Sequence, residues 1–213
     1  MVLVIGHRGY SGKYPENTLI SFEKAVSAGA DMIEMDIHKC RSSELVVIHD
    51  ASVDRTTDGT GKISKMDLSD IRELDAGSGE RVPLLSDVLD HLKGRCGINI
   101  ELKGKGTGKA LANHLDGHMD GLLVSSFYPD EIYEFHQLMP NVRIGYLIDS
   151  DPRGAEEFVK DLGGYSVHPR FDLCSEEFVV NCHELGLKVL VWTVNDEKDV
   201  ERMVRMGVDG VIT

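Results

Sequence analysis

Long apolar runs are missing from this chain of 213 residues. No stretch approaches the roughly twenty consecutive apolar residues of a membrane-crossing helix, so an integral membrane segment of that kind is not expected. The run Val2–Ile5 is too short for the core of a signal peptide, and no cationic segment precedes it, which predicts a cytoplasmic location. Cysteine is sparse: Cys40, Cys96, Cys174 and Cys182 show no C-x-x-C spacing. That favours free thiols over a zinc site or a disulfide framework. Positive charge is also short, with 23 Lys and Arg against 36 Asp and Glu and a net charge of −13. A nucleic-acid partner would need a basic stripe and is not expected. A small phosphorylated substrate stays admissible, because a bound metal and a few local cations can reverse the field inside a cleft. What remains is ordinary for a globular protein: 41% hydrophobic and 28% charged residues, in a length that suits one domain with a sizeable core. The oligomeric state is left open, since no contiguous apolar stripe points to a large obligate interface.

Short β-rich runs alternate with amphipathic stretches along the whole chain. Strands are predicted near 2–6, 31–37, 44–48, 97–101, 121–125, 142–146, 164–168, 187–191 and 208–212. Helices are predicted near 17–28, 84–92, 107–115, 129–138, 153–161, 175–184 and 196–205. In the first helix Asn17 or Thr18 can cap, Leu19, Phe22, Ala25 and Val26 form the apolar stripe, and Gly29 ends it. Pro129 and Pro152 fall at or before helix starts, where a missing N–H does little harm.

This alternation implies a parallel sheet covered by helices. Counting 44–48 as an extension of the second strand leaves about eight βα units, the number in a TIM-type (β/α)8 barrel. An open doubly wound sheet is the alternative. The barrel is favoured because the polar residues are spread over many strand ends instead of gathering at one switch point. Residues 1–213 then form a single barrel domain, with 51–83 as a small insertion after the second strand. That segment lacks sustained periodicity and follows His49, so it is expected over the active-site face, with a plain surface insertion as the competing view. The sequence stops at Thr213, on or just past the last strand, and no eighth helix is expected.

Polar residues mark the strand ends. The first run gives His7 and Arg8, the second Glu34 and Asp36, and the run beyond it His49 and Asp50. Glu34 and Asp36 are two apart, so in a strand they share one face. The fourth run passes through Asn99 into Glu101 and Lys103, another pair spaced by two. Later runs end at Phe127, at His168 and at Trp192, the single tryptophan. In a βα-barrel all these positions line one rim. Three carboxylates converging there would repel unless a cation held them. All-oxygen ligation suits Mg²⁺ or Ca²⁺ better than Zn²⁺. Glu34, Asp36 and Glu101 together favour a metal site over solvated carboxylates, and His7 and His49 beside them suit metal-assisted acid–base chemistry. Arg8 and Lys103 suit a phosphate, with solvated charges as the alternative. His168 is placed at the rim, and Trp192 either packs in the core or walls a substrate pocket. His38, His91, His114, His118, His136 and His183 are given no role.

The same residues resemble the glycerophosphodiester phosphodiesterase family over nearly the whole chain. His7-Arg8-Gly9 with Pro15-Glu16-Asn17-Thr18 is similar to its opening motif, and Glu34-Met35-Asp36-Ile37 to its E-x-D-V metal motif. Val46-Val47-Ile48-His49-Asp50 and Arg55-Thr56-Thr57 resemble the segment that follows. Asn99-Ile100-Glu101-Leu102-Lys103, Ser126-Phe127 and Trp192-Thr193-Val194-Asn195 resemble later motifs. The resemblance implies metal-dependent hydrolysis of a small-molecule glycerophosphodiester to sn-glycerol 3-phosphate and an alcohol. It implies a divalent metal on Glu34, Asp36 and Glu101, and His7 and His49 as acid and base. Arg8 and Lys103 would lie near the phosphate, with Asn17, Phe127, His168 and Trp192 as further substrate-binding candidates. A lysophospholipase D-type enzyme and a non-catalytic phospho-ligand-binding barrel are the alternatives. Two departures stand out: Cys40-Arg41-Ser42-Ser43 replaces a T-x-D-G turn, and the family's closing T-D-x-P and helix have no counterpart before Thr213.

Overall fold

The computed structural model describes residues 1–115 and 121–213; His118 lies outside them. The chain begins with β1 (Leu3–Gly6), α1 (Leu19–Ser27), β2 (Met32–Lys39) and β3 (Leu45–Val47). A single 3₁₀ turn at Ile63–Lys65 and α2 (Leu68–Arg72) follow, then α3 (Leu85–Leu92) and β4 (Gly97–Leu102). Next come α4 (Thr107–His114), β5 (Leu122–Ser126), α5 (Pro129–Leu138), β6 (Arg143–Ile148) and α6 (Ala155–Asp161). The last elements are β7 (Ser166–Pro169), α7 (Glu176–Glu184), β8 (Lys188–Val191), α8 (Glu197–Met206) and β9 (Gly210–Ile212). All strands except β3 run parallel in the order β1-β2-β4-β5-β6-β7-β8-β9, and β1 pairs with both β2 and β9, so the sheet closes. This is the TIM-type barrel that the alternation predicts.

The run at 44–48 is not an extension of the second strand. Ser43 takes φ +80° and donates its N–H to the Cys40 carbonyl at 3.0 Å, which turns the chain back. β3 then pairs antiparallel with the far end of β2, Ile37 against Val47 and Lys39 against Leu45, outside the barrel ring.

Two-residue alternation sets which side chains face which layer. On β2 and β4, Ile33, Met35, Ile37, Ile98, Ile100 and Leu102 face outward and pack with Phe22 of α1 and Leu85 and Leu92 of α3. Full burial of one such side chain, Ile100 for example, stabilises by about 1.5–3 kcal/mol. The intervening Glu34, Asp36, Asn99 and Glu101 therefore project into the barrel, where all four are buried. Ile5, Leu123, Leu190 and Ile212 form an apolar layer of the interior.

Thr18, not Asn17, caps α1, its side chain accepting from the Ser21 N–H. Segment 51–83 carries its own apolar cluster, in which Val53, Ile63, Ile71 and Val82 bury themselves against Val46 and Ile48. Its elements are three and five residues long, too short to leave a period in the sequence. Among the described residues a helix covers every barrel strand-to-strand connection, and β9 ends one residue before Thr213. At that seam the outer face of β1 lines a groove with Ala25 and Ala28, and Val4 is 43% exposed. No helix of the described residues is long and apolar enough to cross a membrane.

Candidate active site

Parallel register brings the acidic residues together. Asp36 of β2 stands beside Glu101 of β4, and Glu34 beside Asn99. One oxygen from each of Glu34, Asp36 and Glu101 lies within 4.8 Å of the others, and all three residues are buried. Burial and repulsion by Asp36 hold the Glu34 carboxyl well above the usual range. The same two causes push Glu101 up to about 8. Burial works against ionisation of Asp36 too, but Lys103 and Arg8 outweigh it and hold this carboxyl low. Glu34 Oε1 is buried without a partner, and Asp36 Oδ1 and Glu101 Oε1 meet only the Lys103 ammonium. An all-oxygen set of buried, mutually repelling carboxylates with unsatisfied lone pairs fits a hard divalent cation.

Two cations face this trio. Lys103 Nζ contacts Glu101 Oε1 and lies 3.2 Å from Asp36 Oδ1. Arg8 Nε lies 3.4 Å from Asp36 Oδ2, its backbone N–H donates to Glu34 Oε2 at 2.8 Å, and its Nη1 donates to Glu16 Oε1 at 2.9 Å. Arg8 takes φ +56°, a left-handed conformation that aims both its N–H and its side chain at the acids. Asn17 does not line the cleft. It is buried, with Nδ2 donating to Asp36 Oδ2 at 2.8 Å and Oδ1 accepting from the Asp36 N–H at 3.2 Å, so both its polar atoms hold an acid in place.

His7 and His49 both line the cleft above the acids. Burial, then the neighbouring Arg8, lowers the His7 pKa to about 4, so its imidazole is neutral at pH 7. His49 Nδ1 lies 2.7 Å from Asp50 Oδ1. The Asp50 carboxyl is held well below its usual range, chiefly by Arg55, and an ionised carboxylate only accepts. His49 Nδ1 therefore carries a proton, and Nε2 is the nitrogen turned to chemistry. His38, given no role on sequence, sits on β2 and donates Nε2–H to the His49 carbonyl at 3.0 Å.

The cleft holds about 90 Å³ and is lined further by Lys103, Phe127, Leu147 and Trp192. Phe127 and Trp192 meet edge to face at 5.3 Å, and Lys103 Nζ stands 5.6 Å from the Phe127 ring centroid. Trp192 Nε1 donates to the His168 carbonyl at 2.7 Å. His168 itself is not at the rim. Its side chain is fully buried inside the barrel, with Nε2 2.8 Å from Ser166 Oγ, and burial lowers its pKa to about 3. Ser166 and His168 occupy the space that a side chain at Gly145 would need, which is why residue 145 carries none. Sequence reasoning gave no role to Glu16, Asp50 or Arg55, although all three stand in matched motifs. Their contacts form through side chains up to 39 residues apart and leave no spacing signal.

A closed barrel with an acidic trio, two histidines and two cations at the C-terminal mouth defines an enzyme built for an anionic substrate. The sequence profile of the glycerophosphoryl diester phosphodiesterase family matches residues 7–213, and the chain belongs to that family. It is thus a phosphoric diester hydrolase by membership. A glycerophosphodiester phosphodiesterase of Caldanaerobacter subterraneus subsp. tengcongensis is 35% identical over 99% of this chain and 93% of its own. Among solved structures, an Oleispira antarctica phosphodiesterase in complex with the product sn-glycerol-3-phosphate matches with a TM-score of 0.93 at 32% identity, covering 99% of this chain and 92% of that one. A glycerophosphodiester phosphodiesterase from Thermotoga maritima matches with a TM-score of 0.85 at 31% identity, covering 100% and 94%.

Proposed function

We propose that this chain hydrolyses a glycerophosphodiester to sn-glycerol 3-phosphate and an alcohol, with a divalent metal and with His7 and His49 sharing the proton transfers. The observation that carries this is the convergence of Glu34, Asp36, Glu101, Arg8, Lys103 and both histidines on one cleft. The Oleispira antarctica relative, solved with sn-glycerol-3-phosphate, supports the product class. Glu34, Asp36 and Glu101 would hold Mg²⁺ or Ca²⁺, which when bound polarises a phosphoryl oxygen and helps generate the nucleophile.

The remaining work falls to the protein's own groups. Arg8 and Lys103 offset negative charge on the phosphate as it builds in the transition state. His7, neutral because it is buried, takes a proton from the attacking hydroxyl, which belongs to water directly, or first to the substrate's own glycerol, giving a cyclic phosphate that water then opens. His49 gives a proton from Nε2 to the leaving alcohol while Asp50 accepts from Nδ1 and offsets the charge on the ring. Phe127 and Trp192 exclude water from one wall. Asn17 acts through Asp36, and His168 lies outside the chemistry. The four free cysteines suit a reducing, cytoplasmic setting.

The test is release of glycerol 3-phosphate from glycerophosphocholine after EDTA treatment and again with Mg²⁺ or Ca²⁺ restored. Turnover should need the metal, and His7→Ala or His49→Ala should lower kcat by about 10²–10⁴-fold. Activity within about tenfold of wild type would remove that histidine from the mechanism. A folded protein with no turnover on any head group would overturn the proposed reaction. Faster turnover of lysophosphatidylcholine would move the substrate to a lysophospholipid.

A further inference from the structure

One guanidinium outside the cleft joins the two loops that carry the histidines. Arg55, in the segment after β3, donates through Nε to Asp50 Oδ2 at 2.8 Å and through Nη2 to Asp50 Oδ1 at 2.9 Å. It also donates through Nη1 to Glu16 Oε2 and through Nη2 to Glu16 Oε1, both at 2.8 Å. Both carboxylates therefore have both oxygens fixed by one planar fork. Each continues inward: Asp50 Oδ1 to His49 Nδ1 at 2.7 Å, and Glu16 Oε1 to Arg8 Nη1 at 2.9 Å.

We propose that Arg55 is a positioning residue, fixing the Asp50 carboxylate that orients His49 and, through Glu16, tying the His49 loop to the loop of His7 and Arg8. This deepens the proposed function and rests on its assignment of His49 to proton transfer. The fork is what matters. Without it Asp50, whose side chain is 31% exposed, can turn about its own bonds and carry Oδ1 away from the imidazole. Asp50 and Glu16 would also face each other as like charges. Lysine at position 55 keeps the charge but presents a single point donor, which cannot hold four oxygens. The Arg55 side chain is 47% exposed, so water screens its ion pairs and its contribution lies in geometry more than in stability.

The test compares wild type, Arg55→Met, Arg55→Lys and His49→Ala in two ways. The first is steady-state kinetics on glycerophosphocholine with Mg²⁺, with and without added guanidinium chloride at sub-denaturing concentration. The second is proton NMR of the metal-stripped protein, following the downfield His49 Nδ1–H signal assigned by its loss in His49→Ala. Arg55→Met should lower kcat by about 10–10²-fold with KM changed by less than about threefold. Guanidinium should restore part of that loss in Arg55→Met and none in His49→Ala. Arg55→Lys should fall between wild type and Arg55→Met. The His49 signal should shift or exchange with water in Arg55→Met at unchanged Tm. The proposal is overturned if kcat stays within about twofold and the signal is unmoved, or if KM rises with kcat intact. A loss that neither lysine nor guanidinium relieves, with the signal unmoved, also overturns it. Full activity of His49→Ala, or no turnover in wild type, refutes the proposed function instead, and the NMR arm still decides whether Arg55 holds Asp50 on His49. If Arg55→Met does not fold, Arg55→Lys carries both comparisons.

Discussion

Replacing His168 by glutamine should flatten the acid side of the stability profile. The ring is fully buried inside the barrel, its Nε2 pairs with Ser166 Oγ, and its Nδ1 has no partner. Burial lowers its pKa from 6.5 to about 3. The unfolded chain therefore binds this proton at a higher pH than the native state does. The stability contributed by the neutral ring is fully present above about pH 6.5 and is lost as the pH falls towards 3. Each unit is about 1.4 kcal/mol, so moving from about pH 7.5 to about pH 5 should cost about 2 kcal/mol through this residue alone. For a chain of this size that is about 4–8 °C in Tm. Glutamine does not titrate and can still meet Ser166 Oγ. Urea unfolding of both proteins at the two pH values, with EDTA throughout, gives the difference directly. The buried His7 titrates in both proteins and cancels. Losses that agree within about 0.5 kcal/mol between wild type and His168→Gln would refute the reasoning.

The buried acids make two further outcomes checkable. Adding Mg²⁺ or Ca²⁺ to EDTA-stripped protein at about a hundredfold excess over Kd should stabilise it by about 2.7 kcal/mol, or about 5–10 °C in Tm. Glu101→Gln should weaken that shift at the same metal concentration, and an identical thermal titration of the variant would show that the acids do not share a cation. Asn17→Ala should weaken metal binding by about 10–100-fold, because both of its bonds to Asp36 disappear. Calorimetric titration reads this, and unchanged affinity would mean that Asp36 is held without its help.

Much of the barrel was legible because alternation has a fixed period. Ile33-Glu34-Met35-Asp36-Ile37 reads the same in sequence and in structure, apolar outward and acidic inward. Glu101 follows once the strands are parallel neighbours, since register then sets it beside Asp36. The run after Cys40–Ser43 reads as a strand extension because that segment holds no glycine, although it stands where the family has a turn, and Ser43 itself takes the positive φ. His168 was misplaced for a different reason. It does face inward from β7, but depth along a barrel depends on how neighbouring strands are staggered, and position near a strand end does not give it. Leu147, its register partner on β6, reaches the cleft while His168 packs against Ser166. Asn17 lies in a matched motif, yet only the folded loop reveals that it holds Asp36. The Arg55 fork is a matter of side-chain conformation across four charged groups, which no one-dimensional pattern encodes.

The alternation on β2 and β4 has a bearing on how such a protein can diverge. Catalytic acids and core aliphatics occupy adjacent positions of the same two strands, so removing or adding one residue within 32–37 or 97–102 would turn the acids out among the helices and the aliphatics into the cleft. Site and scaffold are then lost in one event. Substitution within these strands leaves their register intact. A change of length in the 40–44 turn or in segment 51–83 leaves that register alone, because the barrel ladder does not pass there and 51–83 has its own apolar cluster. Changes in segment 51–83 can accumulate while the catalytic register stays constant.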